Sequence, residues 1–169
     1  FIVGFDTDNA GTFDRMIDFI QNSGIVTAMV GLLHALPRTK LYKRLKKEGR
    51  ILSAATGNNT DSTLNFIPEM RKEALMEGYK KILDTIYHPK QYYNRIITYL
   101  NQYQGLAKGP KFSVKLMIMA ITRSFWQMGV LDSGNIYFWK MIFWTMLHKP
   151  RLISDAITQS IYGYHYRTV

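Results

Sequence analysis

Apolar residues fall along this chain in two distinct rhythms. Near the start they come in unbroken runs, Phe1-Ile2-Val3-Gly4-Phe5 and then Ile25-Val26-Thr27-Ala28-Met29-Val30-Gly31-Leu32-Leu33. Between the runs Phe13, Met16, Ile17, Phe19 and Ile20 recur at helical spacing. Strand, helix, strand within about 35 residues is the length of one βαβ crossover, which predicts parallel strands joined by a right-handed connection. Apolar residues at successive positions, rather than alternate ones, suit strands covered on both faces. Two such strands alone leave long apolar edges, so the expectation is a partial parallel α/β sheet or barrel whose earlier strands precede Phe1.

The helix between the strands is expected from near Thr12 to Asn22, with Asp8, Asn9 and Thr12 as capping candidates and Ser23-Gly24 as the stop. Asp6 and Asp8 stand two apart at a strand's carboxyl end. Helix capping is the commoner use of such residues, and a carboxylate pair for acid–base or metal work the sharper one. After Pro37, Arg38–Glu48 reads as a short amphipathic helix, with Leu41, Tyr42 and Leu45 inward and Gly49 closing it.

Residues 53–65 are polar and turn-rich, which divides the chain into an α/β piece over 1–52, a linker loop over 53–67 and a helical domain over 68–169. Helices are expected over 68–87, 89–104, 110–131, 134–148 and after Pro150, the last fraying at Gly163-Tyr164-His165-Tyr166. The helix over 110–131 leaves only a narrow polar stripe, the one over 134–148 is apolar nearly all round, and together they hold all three tryptophans. Lys115, Arg123 and Lys140 interrupt runs already shorter than the ~18 uncharged residues of a transmembrane span. Burial in a core or against another domain is the ordinary reading of such helices. A membrane surface or a pocket for a large apolar substrate is the sharper one.

Charge changes the picture in one respect. The net charge of +10 is uneven: residues 38–50 carry seven basic side chains and one acid, and residues 101–169 carry eight basics against Asp132 and Asp155. Such a balance favours anionic neighbours or, more plainly, a solvated basic surface. The chain has no cysteine, which excludes disulfides, a thiolate nucleophile and a thiolate-held metal centre within these residues. Walker-type phosphate loops, HExxH and EF-hand patterns are absent. His34, at the carboxyl end of the second strand, is the histidine best placed for a ligand.

Phe1–Asp8, Phe13–Gln21 and Ala35–Tyr42, followed by Thr56–Asp61 and Leu64-Asn65-Phe66, resemble the late barrel and appended helices of radical S-adenosylmethionine enzymes. The likeness is to those carrying an N-terminal cobalamin-binding domain, in the branch of hopanoid C-2 methylases and bacteriochlorophyll methyltransferases. The resemblance implies an α/β fragment made of the last two parallel strands of a partial TIM-like barrel, then an all-α domain. It implies methyl transfer to an unactivated carbon of a large apolar substrate, by an enzyme of which this chain alone would be inactive. It implies S-adenosylmethionine, a four-iron four-sulfur cluster and cobalamin in the parent protein, with cluster and cobalamin ligands outside this chain.

The family's GxIxGxxE strand, which helps seat the adenine, is matched at Ile2 and Gly4. Thr7 stands where its glutamate would be. The implied cofactor-binding residues are Ile2, Gly4, Phe5, Leu33, His34 and Ala35, and the implied substrate side is Asn58, Asn59, Asp61, Trp126 and Trp139. The family's Pro-Gly-Thr-Pro turn is here Pro37-Arg38-Thr39-Lys40. The expected partners are the preceding barrel and cobalamin domain of the same polypeptide, with a membrane surface or lipid-like substrate beyond them. The expected location is cytoplasmic, at most peripheral to the inner membrane face. A basic helical module that binds membranes or nucleic acid is the rival reading, and nucleic acid is not a partner of the main one.

Overall fold

The computed structural model describes residues 1–53, 64–103 and 122–168. Asn58, Asn59, Asp61 and the first half of the helix expected over 110–131 lie outside them. The described chain is mostly helical with one small parallel sheet, and it divides into two compact units: residues 1–17 with 28–84, and residues 18–27 with 85–169.

In the first unit, β1 (Ile2–Val3) and β2 (Gly31–Leu32) are parallel, pairing Ile2 with Gly31 and Val3 with Leu32. Gly31 N donates to Phe1 O at 3.1 Å and Leu33 N to Val3 O at 2.8 Å. The strands are much shorter than the apolar runs that announce them. Gly4 has φ +106°, which turns the chain out of the extended conformation. The Gly4 and Phe5 amides then go to the Asp8 carboxylate at 2.8 and 3.0 Å instead of to a neighbouring strand.

Helix α1 (Ala10–Asn22) starts two residues before Thr12, because Asn9 caps it: Asn9 Oδ1 accepts from Gly11 N at 3.1 Å, while Thr12 Oγ1 accepts from Asn9 N at 3.1 Å. Phe13 and Ile17 bury its inner face within this unit. Helix α2 (Lys40–Lys47) follows a proper cap, Thr39 Oγ1 accepting from Tyr42 N at 3.1 Å, and buries Leu45 while its cations face water. Gly49, at φ +71°, ends that turn. Chain segments on either side of the polar loop meet in an antiparallel bridge between Ile51 and Phe66, with Leu52 N donating to Asn65 O at 2.9 Å and Ile67 N to Arg50 O at 2.8 Å. Helix α3 begins only at Lys72, running to Ile86. In this unit Gly78 gives the Phe13 ring its place, since a Cβ there would fall 2.3 Å from the ring.

The second unit is helical throughout its described length. Helix α4 (Pro89–Gln102) opens on a proline at its first turn, as the sequence predicts. A helical run over 122–126 widens into a π-helical segment, Gln127–Leu131, then α5 (Asn135–His148), a single 3₁₀ turn at Pro150–Leu152 and α6 (Ile153–Thr168). The core joins Tyr92, Tyr93, Ile96 and Leu100 of α4 to Phe138, Met141 and Ile142 of α5 and Ala156 and Ile157 of α6. Contrary to the expected fraying, α6 continues through Gly163 to Thr168. The glycine is there because the Tyr92 ring fills its side-chain space, within 2.1 Å of where a Cβ would stand.

Candidate functional site

The carboxyl ends of parallel strands are where α/β folds bind ligands, because the loops that leave them converge there. In the first unit this region contains Gly4 to Asp8 after β1 and Leu33 to Ala35 after β2. The structure therefore brings together the strand-end residues Ile2, Gly4, Phe5, Leu33, His34 and Ala35 that the resemblance implies. Ile2 and Phe5 are 50 % and 45 % exposed, so an apolar surface stands open beside buried Val3 and Gly4. Gly4 has a second role besides its backbone angle. The space a side chain would occupy is filled by Leu33 Cβ at 3.5 Å and Leu75 Cδ2 at 3.3 Å, so its missing side chain serves close packing within the unit.

Neither Asp6 nor Asp8 is a free carboxylate. Asp8 closes the loop after β1 by accepting two amides. Asp6 accepts from Arg50 at 2.7 Å and Arg44 at 2.5 Å, and the Arg50 hydrogen bond, joined by that of Arg44, holds its carboxyl below the usual range despite partial burial. Arg50 is itself a hub, reaching Ile67 O at 2.8 Å, Glu48 at 3.1 Å and Glu69 at 3.0 Å. The Asp6 bond, the largest cause, raises the guanidinium's own pKa. Asp6 therefore ties the β1 loop to α2 and to the bridged segment, Asp8 closes that loop on itself, and neither of them caps α1. Among the described residues no group of three His, Cys, Asp or Glu side chains could hold a metal ion.

Sequence reasoning missed the residue that shapes the β2 end most directly. Asn65, 3 % exposed, accepts from Ala35 N and donates to Ala35 O, both at 2.9 Å. A side-chain amide here mimics a paired strand and uses up the polar backbone of one residue. Leu33 N is bonded to Val3 O, so the Leu33 carbonyl and the His34 backbone are what this stretch offers a ligand. The turn beyond is unusual: Arg38 has φ +70°, the one non-glycine residue at positive φ among those described. It occupies the second position of Pro37-Arg38-Thr39-Lys40, where the similar family has glycine.

Trp126 and Trp139 belong to the second unit. Trp126 is 64 % exposed, and Trp139 donates its indole N–H to Gly129 O at 2.9 Å. Also in that unit, and invisible to pattern reading, is a fully buried cation. Arg95 donates through Nε and Nη2 to Val26 O at 3.3 and 3.0 Å and through Nη1 to Gln21, with its guanidinium 5.2 Å from the Tyr92 ring centre. Burial lowers its pKa and raises that of Tyr92. A groove of about 470 Å³ opens beside this tether, with Ile25, Thr27, Tyr99, Tyr162 and Tyr166 on its walls.

Comparison with known proteins assigns the chain. Residues 39–169 match the family described as "Domain of unknown function (DUF4070)", and the chain belongs to that family. Among named relatives it is similar to an uncharacterized methyltransferase of Synechocystis sp., 32 % identical across 98 % of this chain and 32 % of the relative. It is also similar to the hopanoid C-2 methylase of Rhodopseudomonas palustris, 26 % identical across 82 % of this chain and 27 % of that protein. The chain thus spans a third or less of the length of the curated relatives it matches. No solved structure matches at a significant level. The sequence resemblance to the hopanoid C-2 methylase branch is borne out by these relatives.

Proposed function

We propose that this chain is part of a cobalamin-dependent radical S-adenosylmethionine methyltransferase that methylates an unactivated carbon of a large apolar substrate. The observation that carries the reading is the pair of relatives named as methyltransferase and methylase, one of them aligned over nearly the whole chain. The parallel β1–β2 pair with α1 between them supports its placement as the last strands of a partial barrel.

The residues present fit the implied cofactors unequally. With no cysteine, this chain holds no thiolate ligand for an iron–sulfur cluster, which would rest on other parts of the polypeptide. S-Adenosylmethionine is better served. The exposed side chains of Ile2 and Phe5 would pack against a flat base, and the Leu33 carbonyl and His34 backbone would meet its polar edge. Asn65 would act behind that surface, holding Ala35 so that the preceding two residues keep their direction. When bound, the cofactors supply a hydrogen-abstracting radical and a methyl group; this chain's part is to bind, orient and exclude water.

Anaerobic assay of the full-length protein with a reductant, cobalamin and S-adenosylmethionine tests the reading. The expected result is S-adenosylmethionine consumption and a lipid-like product heavier by one methylene. A full-length protein that assembles no cluster, or assembles one and consumes no S-adenosylmethionine, overturns it.

A further inference from the structure

We propose that the outer face of α5 and the adjoining π-helical segment dock on an anionic lipid bilayer. This goes beyond methyl transfer and does not depend on it. One side of α5 packs Phe138, Met141, Ile142 and Thr145 into the core of the second unit. The other side is also apolar, yet it faces water: Ile136 is 74 % exposed, Phe143 59 % and Leu147 81 %. Spacings of seven and four residues place these three on one stripe of the helix. Trp139 extends the stripe to the neighbouring segment, through its hydrogen bond to Gly129 and its ring against Phe143 at 5.8 Å, where Trp126 and Val130 are 64 % and 53 % exposed. A contiguous apolar surface of this kind marks an interaction site.

Charge identifies the occupant. The helical stretch over 122–131 has Arg123 as its one charged residue, α5 has only Lys140, and Lys149 and Arg151 follow directly. The one acid from 122 to 151 is Asp132, which is 12 % exposed and ion-paired to Arg167 at 2.8 Å. Along this stretch the exposed charges are therefore cations. Lys140 stands inside the apolar stripe. A protein partner would have to bury that ammonium against a matched acid, whereas at a bilayer the side chain extends to the phosphates while its neighbours enter the acyl boundary. Two tryptophans at the same face suit the headgroup level. No helix among the described residues is long and apolar enough to cross a membrane, so α5, about 21 Å long, would lie in the plane of the surface.

Sedimentation of the full-length protein with phosphatidylcholine vesicles, with and without phosphatidylglycerol, tests this. Binding is expected only or chiefly with phosphatidylglycerol, falling as salt rises, with a blue shift of tryptophan fluorescence. Lys140→Gln should weaken binding to anionic vesicles about fivefold and leave phosphatidylcholine unaffected. Leu147→Asn combined with Trp126→Ser should weaken it at least about tenfold, both positions being exposed enough to leave the fold intact. Failure of the full-length protein to bind either vesicle, as when another part of the polypeptide covers this face, overturns the proposal. So does binding that these variants leave unchanged. Neither readout involves methylation, so loss of one reading leaves the other standing.

Discussion

Asn65 holds Ala35 by both of its backbone polar groups, across thirty residues of sequence. Because the pair is buried, losing the amide strands a donor and an acceptor together. Asn65→Leu should destabilise the first unit by about 2–4 kcal/mol in a urea titration. Asn65→Asp, which keeps the shape but sets an oxygen against the Ala35 carbonyl, should cost as much or more. If both variants unfold at the wild-type midpoint, the contact contributes nothing.

Arg38 makes the opposite kind of prediction. A side chain at φ +70° costs roughly 1–2 kcal/mol, and glycine removes that cost while adding freedom to the unfolded chain. Arg38→Gly should therefore stabilise the protein by about 0.5–1 kcal/mol. Arg38→Ala, which keeps the Cβ, should not. Thermal unfolding of the two variants side by side separates backbone strain from any effect of the lost charge.

Acid stability should depend on Asp6. Its carboxyl titrates lower in the folded protein than in the unfolded chain, so the unfolded state binds its proton first as pH falls. The stabilisation is complete above the unfolded carboxylate pKa of about 4 and disappears as pH drops through the lower folded value. Asp6→Asn should cost about 1 kcal/mol at neutral pH and flatten the acid limb of stability against pH. Parallel curves for variant and wild type would show that the Arg44 and Arg50 contacts are energetically silent.

Gly163 sets two effects against each other. Alanine is the better helix former by about 1 kcal/mol, but its Cβ would enter the Tyr92 ring, which a 2.8 Å hydrogen bond to Gln159 O holds in place. Overpacking of about 1–3 kcal/mol should win, so Gly163→Ala lowers the midpoint of thermal unfolding. With Tyr92→Leu in the background, the same substitution should be close to neutral or stabilising. Additive losses in that double-mutant cycle would rule out the steric explanation.

Local pattern carried the helices and the parallel crossover, because apolar spacing and caps are written in neighbouring residues: Asn9 before α1, Pro89 opening α4, Gly49 closing a turn. It overstated the strands, since a run of apolar residues does not reveal that Gly4 and Asp8 divert the amides that a longer ladder needs. It also gave no sign of the roles of Asn65, Arg50 and Arg95. Their bonds to Ala35, Ile67, Asp6 and Gln21 span 17 to 74 residues, and nothing beside a lone Asn or Arg marks such a long-range bond. The glycines misled in one place: Gly163 looked like a helix end, and is a seat for a ring on another helix. Of the strand-end surface, the positions were legible; which backbone groups remain open was not.

The π-helical turn has a consequence for how Trp126 is aimed. Asp132 N reaches back five residues to Gln127 O, a winding that holds one residue more than an ordinary turn, and within it Gly129 O accepts from the Trp139 indole. Rewinding those same residues as a regular helix would swing residues 122–126 about the axis by roughly 100°, one residue's step. Trp126 would then point elsewhere with no change to its own identity. The winding of this short segment, as much as its composition, sets which side chains share a surface.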